Sequence, residues 1–416
     1  MRTLISENFD FYDKLSNFKC LSVLKFYGNI IKGLSDSIEQ LKNLRLLHFS
    51  CTEIEELSES ITKLYNLQTL RIEKCQSLKE LPKDFSNLIK LRHINIDCLN
   101  YFCPENVGRL TWFQTLPIFV VGPYEGYQIK EMGPLKNLRG EISIYKLGMV
   151  KDEEEAKRAK LKEKQIFKLG LYWSCYDREK NMHYDKDEKV SEGLQPHLNL
   201  KSLTIEWYHG KKFPSWVGLS PYHNLIKIYL NRCTKCEEVP TLGHLPYLRV
   251  LEIELMGKVR SIGSELYSYS DGSDRNTAPL FLALRILKLK DLYELEEWKD
   301  AKELTSAGEV LVFPCLEELT LIDCNKLRDF PDSLHTCVSL QKLVVRCCSK
   351  LRYLPGVQSI IRCGIEDPPS WLQCVEYLEN GDCRLPSTSS IQHSHPSLQK
   401  LRLCASIIPW QSKSSC

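Results

Sequence analysis

Leu67-Gln-Thr-Leu70-Arg-Ile72-Glu-Lys-Cys75 is the stretch that decides how this chain folds. It runs on to Leu78, Leu81 and Pro82. The same frame returns at Leu316, Leu319, Leu321, Cys324, Leu327 and Pro331, and again at Leu340, Leu343, Val345, Cys348, Leu351, Leu354 and Pro355. With Leu70 as the register mark, earlier marks fall at Leu24, Leu47 and Ile94. A second run holds Leu203, Ile228 and Leu251, followed at irregular intervals by Leu287, Leu319, Leu343 and Leu401. Ile142 and Leu169 mark two distorted repeats between the runs. These marks amount to roughly 13 repeats of about 23–25 residues, and the long interval from Leu251 to Leu287 predicts an inserted loop.

The frame L-x-x-L-x-L-x-x-C/N-x-L is that of a leucine-rich repeat. One unit cannot bury its own apolar edge, whereas stacked units can. The expected fold is therefore an α/β repeat, a leucine-rich-repeat solenoid (horseshoe). It has a parallel concave β-sheet and an irregular or short-helical convex side. Side chains alternate along a strand, so Leu70 and Ile72 point into the stack while Arg71 and Glu73 point out. Cys75, Cys233, Cys324 and Cys348 share one position, five residues after the mark. There the chain turns inward and a small side chain bonds neighbouring backbone. Pro82 interrupts regular structure on the far side of its repeat.

At 416 residues an ordinary globular chain would divide into two or three domains. A solenoid escapes that limit because each repeat touches only its neighbours, so one elongated domain is expected. Net charge is +3 with 26% charged residues, too balanced to propose nucleic acid as the main partner. No segment approaches the roughly 18 apolar residues of a membrane span. Met1 to Lys14 mixes charged and apolar residues and does not read as a signal peptide. The chain holds 18 cysteines, and four of them occupy one repeat register, which favours structural thiols over a disulfide scaffold. The sequence also lacks an Asn-x-Ser/Thr sequon. A reducing, cytoplasmic setting is expected, with nuclear or membrane-peripheral placement also compatible.

Residues 1–20 read as a lead-in segment and 21–405 as the repeat domain, looser over 97–170, with an insertion at 264–280, weak repeats over 356–405 and a tail at 406–416. Lys151-Asp-Glu-Glu-Glu-Ala-Lys-Arg-Ala-Lys-Leu161 predicts a solvated helix. Asp152 and Glu155 have capping-box spacing, and Glu153–Lys157 and Glu154–Arg158 are favourable i,i+4 pairs.

No catalytic, cofactor or metal site is expected. Cys233-x-x-Cys236 lacks the second ligand pair of a structural zinc site. In Cys347-Cys348 the second residue is in register and the first faces outward. His393-Ser-His395 has no Cys or carboxylate cluster beside it. Neither G-x-S-x-G nor H-E-x-x-H occurs. The better candidates are outward strand residues: Arg71, Glu73, Lys227, Tyr229, Glu252, Glu254, Lys288, Lys290, Thr320, Val344 and Arg346. As a set, aromatic and charged groups on a rigid sheet suit protein recognition.

The phrases between the repeats carry a resemblance of their own. Leu57-Ser-Glu-Ser-Ile61-Thr-Lys-Leu64-Tyr-Asn-Leu67, Leu81-Pro-Lys-Asp-Phe85 and Leu135-Lys-Asn-Leu138-Arg-Gly140 are three of them. Phe213-Pro-Ser-Trp216 and Cys233-Thr-Lys-Cys236 through Leu242-Gly243-His-Leu245-Pro246 follow. In order, over roughly residues 15–355, they resemble plant intracellular nucleotide-binding leucine-rich-repeat disease-resistance proteins of the coiled-coil class. The resemblance implies a recognition and regulatory domain that senses a pathogen effector or a guarded host protein. It also implies a nucleotide-binding switch domain as a partner, if the chain is part of a longer receptor. The family's phosphate loop, G-x-x-x-x-G-K-[ST], does not occur in this sequence, so ATP or ADP binding is not carried over. The alternative reading is an independent leucine-rich-repeat adaptor or decoy without a switch.

Overall fold

In Thr69–Glu73 the leucine and isoleucine are fully buried and Arg71 is exposed, as strict alternation requires. The computed structural model describes residues 2–7, 15, 17–28, 32–96, 104–173, 184–218, 222–267, 280–300, 311–352 and 362–366. The chain divides into two compact units, Met1–Leu203 and Thr204–Cys416.

The first unit opens with β1 (Thr3–Ser6), β2 (Val23–Tyr27), β3 (Leu46–Ser50), β4 (Thr69–Glu73) and β5 (His93–Ile96). They form a parallel sheet in chain order, with Leu4, Leu24, Leu47, Leu70 and Ile94 paired in register. The segment read as a lead-in thus supplies a strand: Leu4 occupies the mark position and is buried. Phe26 and Phe49 stack behind the sheet with ring centroids 5.4 Å apart. Further on come β6 (Ile118–Val120), β7 (Arg139–Tyr145) and β8 (Gln165–Tyr172), again parallel. Ile142 pairs with Leu169, as the two distorted marks require. The distortion is a register shift at Gly140/Glu141, where Gly140 takes a φ of +93° open to glycine.

The expected helix is present but short: α1 covers Glu153–Lys157. Asp152 caps it by accepting from the Glu155 N–H at 2.8 Å, and Glu155 reaches back to the Lys151 N–H. Lys157 pairs with both Glu153 and Glu154, so Glu154 bonds to Lys157 where sequence spacing had suggested Arg158. The helix is not simply solvated. Ala156 is buried, and α2 (Tyr184–Gly193), which the repeat frame did not predict, packs against α1 through Gly193. A Cβ on Gly193 would lie 2.6 Å from the Glu153 carbonyl oxygen.

The second unit begins within β9 (Ser202–Glu206). It continues through β10 (Lys227–Asn231), β11 (Val250–Glu254), β12 (Ser261–Ile262), α3 (Ser264–Tyr267), β13 (Ile286–Lys290), β14 (Glu297–Trp298), β15 (Glu318–Ile322), β16 (Lys342–Arg346) and β17 (Arg362–Glu366). The main strands order as β9-β10-β11-β13-β15-β16-β17, all parallel where paired, with Ile228, Leu251, Leu287, Leu319 and Leu343 in register. Cys363 of β17 holds the next mark; Leu401 lies outside the described residues. Part of the long interval after Leu251 is ordered core. β12 pairs with β14, and α3 brings Tyr267 into the interior, where its hydroxyl accepts from Trp298 Nε1 at 2.9 Å. Phe281 and Phe313 stack beside it at 5.0 Å. The expected insertion therefore begins with a packed helical turn; residues 268–279 lie outside the described residues.

One backbone device repeats in both units. The residue four after the mark turns the chain with φ near +55°: Cys51 and Lys74 in the first unit, Arg232, Leu255, Asp291, Asp323 and Cys347 in the second. Its N–H extends the ladder to the end of the next strand, as in Cys51 N–H to Glu73 O at 2.9 Å and Asp323 N–H to Arg346 O at 3.0 Å. The added hydrogen bond offsets a conformation that costs side chains about 1 kcal/mol. The next residue then faces inward. Cys75, Cys233, Cys324 and Cys348 are fully buried there. Each thiol lies within bonding reach of the carbonyl two residues back, for example Cys348 Sγ to Arg346 O at 3.2 Å.

Candidate recognition surface

On the outward face of the first unit, Glu73 gathers side chains from three strands. Arg71 donates to its Oε1 from both Nε, at 3.0 Å, and Nη2. His48 on β3 lies 3.2 Å from Oε2, and Asn95 on β5 donates at 3.4 Å. The hydrogen bonds from Arg71 hold the Glu73 carboxyl below its ordinary range, with the charges of Arg71 and His48 adding to the effect. Arg71 and Glu73 are thus one assembly. His48 and Asn95 belong to it and follow from the same rule, since each stands one residue after a mark.

The second unit carries a different arrangement. Lys227 Nζ pairs with Glu252 Oε1 at 3.0 Å, and Tyr229 donates to Glu254 Oε2 at 3.2 Å, in both cases from β10 to β11. Beside them Asn231 donates to Glu206 Oε1 at 2.7 Å. Arg232 pairs with Glu206 at 3.6 Å while lying over the Trp207 ring at 4.7 Å. Burial raises the Tyr229 hydroxyl well above its usual value, and the negative field of Glu254, Glu206 and Glu252 adds to it. Burial also raises the Glu206 carboxyl, only partly offset by Arg232 and Asn231. Sequence reading missed Glu206 and Asn231, which stand three residues after Leu203 and Ile228 and so were available from the repeat frame.

The register places Lys288 opposite Glu252 and Lys290 opposite Glu254, followed on β15 and β16 by Thr320, Val344 and Arg346. Of the eleven candidates, Arg71 and Lys227 are exposed and all but one of the others are half-buried on the outward rows. Thr320 is the exception: it holds the outward register but is only 5% exposed, so it offers little surface.

The other sequence motifs are structural where they can be placed. Cys233 and Cys236 are both buried, and Cys236 donates to the Gly210 carbonyl at 3.2 Å. Among the described residues no group of three or more His, Cys, Asp or Glu is placed to hold a metal ion. In the same residues no helix is long and apolar enough to cross a membrane. His393 and His395 lie outside the described residues.

A profile of the R13L1/DRL21 leucine-rich repeats matches residues 129–256. RGA4 of Solanum bulbocastanum, named as a disease resistance protein, is 34% identical over 293 residues, covering 70% of this chain and 28% of that protein. The chain is a leucine-rich-repeat region similar to those of plant disease-resistance proteins. RPP13-like protein 1 of Arabidopsis thaliana, also named for disease resistance, is 34% identical over 231 residues, 53% of this chain and 21% of its own length. The chain thus spans about a quarter of the length of these disease-resistance relatives. A solved leucine-rich-repeat protein of Leptospira interrogans aligns over 83% of this chain and 84% of its own, with 18% identity and a TM-score of 0.43.

Proposed function

We propose that the chain is the recognition and regulatory repeat region of a plant immune receptor, sensing a pathogen effector or a guarded host protein. The observation that carries this reading is the 34% identity over 293 residues to a disease-resistance protein. The outward strand faces supply the contacts. They combine an aromatic group with fixed charges on a rigid sheet, a pattern that confers specificity more than raw affinity. A nucleotide-binding switch domain is the partner in cis. Regulation is a population shift, in which the sensed protein binds the released state of the receptor better than the closed one.

The test places the repeats in a receptor expressed in leaf tissue, with the native sequence or with Tyr229→Ala and Glu252→Ala together. The native receptor should stay quiet until its eliciting protein is supplied and then trigger a defence response. The variant should accumulate to the same level and respond weakly. An equal response from both would remove the outward face of β10 and β11 from recognition.

A further inference from the structure

We propose that Lys288 and Lys290 receive a pair of carboxylates from an acidic stretch of a protein partner, docked along β13 and over β15. The inference rests on the recognition reading above and names the chemistry of the partner at that face.

Parallel pairing sets Glu252 beside Lys288 and Glu254 beside Lys290, the positions from which cross-strand ion pairs ordinarily form. Neither forms. Glu252 binds Lys227 and Glu254 accepts from Tyr229, so both glutamates turn toward β10. On the other flank Glu318 is taken by Lys342 at 3.2 Å. Among the described residues no carboxylate lies within ion-pair distance of Lys288 or Lys290. Two half-buried lysines therefore stand on one strand with no ion-pair partner among the described residues, two residues and roughly 6.6 Å apart along the backbone.

What surrounds them sets the direction of docking. Toward β11 an acidic ligand meets Glu252 and Glu254, and beyond them on β9 the half-buried Glu206, whose own carboxyl is already raised by burial. Toward β15 and β16 it meets the buried Thr320 and half-buried Ile322 and Val344, which are low and uncharged. An acidic segment is thus attracted by the lysines, repelled from one side and accommodated on the other. Attraction together with repulsion is what fixes register at a polar surface. The spacing of the lysines suits carboxylates on alternate residues of an extended segment or on successive turns of a helix.

The probe is a short fluorescent peptide in which Glu alternates with Thr, with its Gln/Thr counterpart and a single-stranded oligonucleotide as further ligands. Anisotropy is read against the full chain. The Glu peptide should bind, weaken as salt is raised, and lose at least about tenfold in affinity in Lys288→Gln/Lys290→Gln. Glu252→Gln should tighten it by relieving repulsion. A distant control, Lys42→Gln/Lys136→Gln, should leave binding unchanged. No binding of the Glu peptide, equal loss in the control, or lysine-dependent binding of the oligonucleotide alone would overturn the proposal. If Lys288→Gln/Lys290→Gln leaves peptide binding intact while Tyr229→Ala/Glu252→Ala still abolishes the defence response, this inference fails and the recognition reading stands.

Discussion

Thr52 Oγ1 lies 3.0 Å from Cys75 Sγ, one repeat apart at the same inward-facing position. A hydroxyl and a thiol fill that position interchangeably because each is small and each can bond its neighbours. The position is buried, and that fixes what its thiols can do.

The register cysteines should therefore resist modification. Cys75, Cys233, Cys324 and Cys348 are buried, while Cys20, Cys51 and Cys315 are exposed. Cys337, also buried, has its thiol pushed up to about 11 by burial, which lowers its thiolate fraction further. Alkylation followed by mass spectrometry should label the exposed three quickly and these buried five, together with the buried Cys236, slowly. Fast labelling of the buried set would contradict the packing described.

Strand parity gives a second expectation. Leu70→Asp places a carboxylate in an apolar stack and should cost about 4 kcal/mol or more. Arg71→Ala removes one exposed partner of Glu73, which keeps His48 and Asn95, and should cost about 0.5–1 kcal/mol. Urea titration of both variants reads the contrast. Similar losses would mean that inward and outward are misassigned.

Cys51 tests the turn. It is exposed and holds φ at +53°. Cys51→Gly should leave stability unchanged or raise it by up to about 1 kcal/mol, and Cys51→Val should lower it by about 1–2 kcal/mol. Thermal melts that rank valine above glycine would show that the left-handed turn is not a constraint.

Lys164 gives a pH dependence. It is 1% exposed, and its ammonium donates to the Leu135 carbonyl at 3.2 Å and the Gly133 carbonyl at 3.5 Å. Burial depresses its pKa to about 8, from 10.5 in the unfolded chain. Below pH 8 both states carry the charge and the folded state bears the full burial penalty. Between about pH 8 and 10.5 the unfolded state binds more protons, so stability rises with pH. Against a Lys164→Met reference, wild type should gain stability over that window by up to about 3 kcal/mol. Denaturant midpoints at pH 7 and 10.5 for both proteins measure it. Parallel changes in the two would place the titration elsewhere.

The strands were legible in the sequence because their signal is local. Leu70, Ile72 and Cys75 state the frame within a few residues, and Ile142 opposite Leu169 followed even through a bulge. Elements without the full phrase were not legible. Leu4 carries a mark but little of the surrounding frame, so the sequence predicts only a lead-in where β1 forms. Tyr267 sits in a Ser-rich context, and its buried place among Phe281, Phe313 and the indole N–H of Trp298, about thirty residues on, depends on distant chain. The recognition face was legible as a list of outward positions, not as networks. Periodicity says that Glu73 faces out, but only pairing of β3, β4 and β5 brings His48, Arg71 and Asn95 onto it.

The most direct test of the recognition account is partner capture from leaf tissue challenged with a pathogen, using two folded variants side by side. One carries Tyr229→Ala, Glu252→Ala and Lys288→Ala on the outward face. The other carries Glu237→Ala, Lys258→Ala and Glu296→Ala away from those strands. The account predicts that the first loses a partner that wild type and the second both keep. If the first keeps every partner and the second loses one, recognition does not run through the strand face.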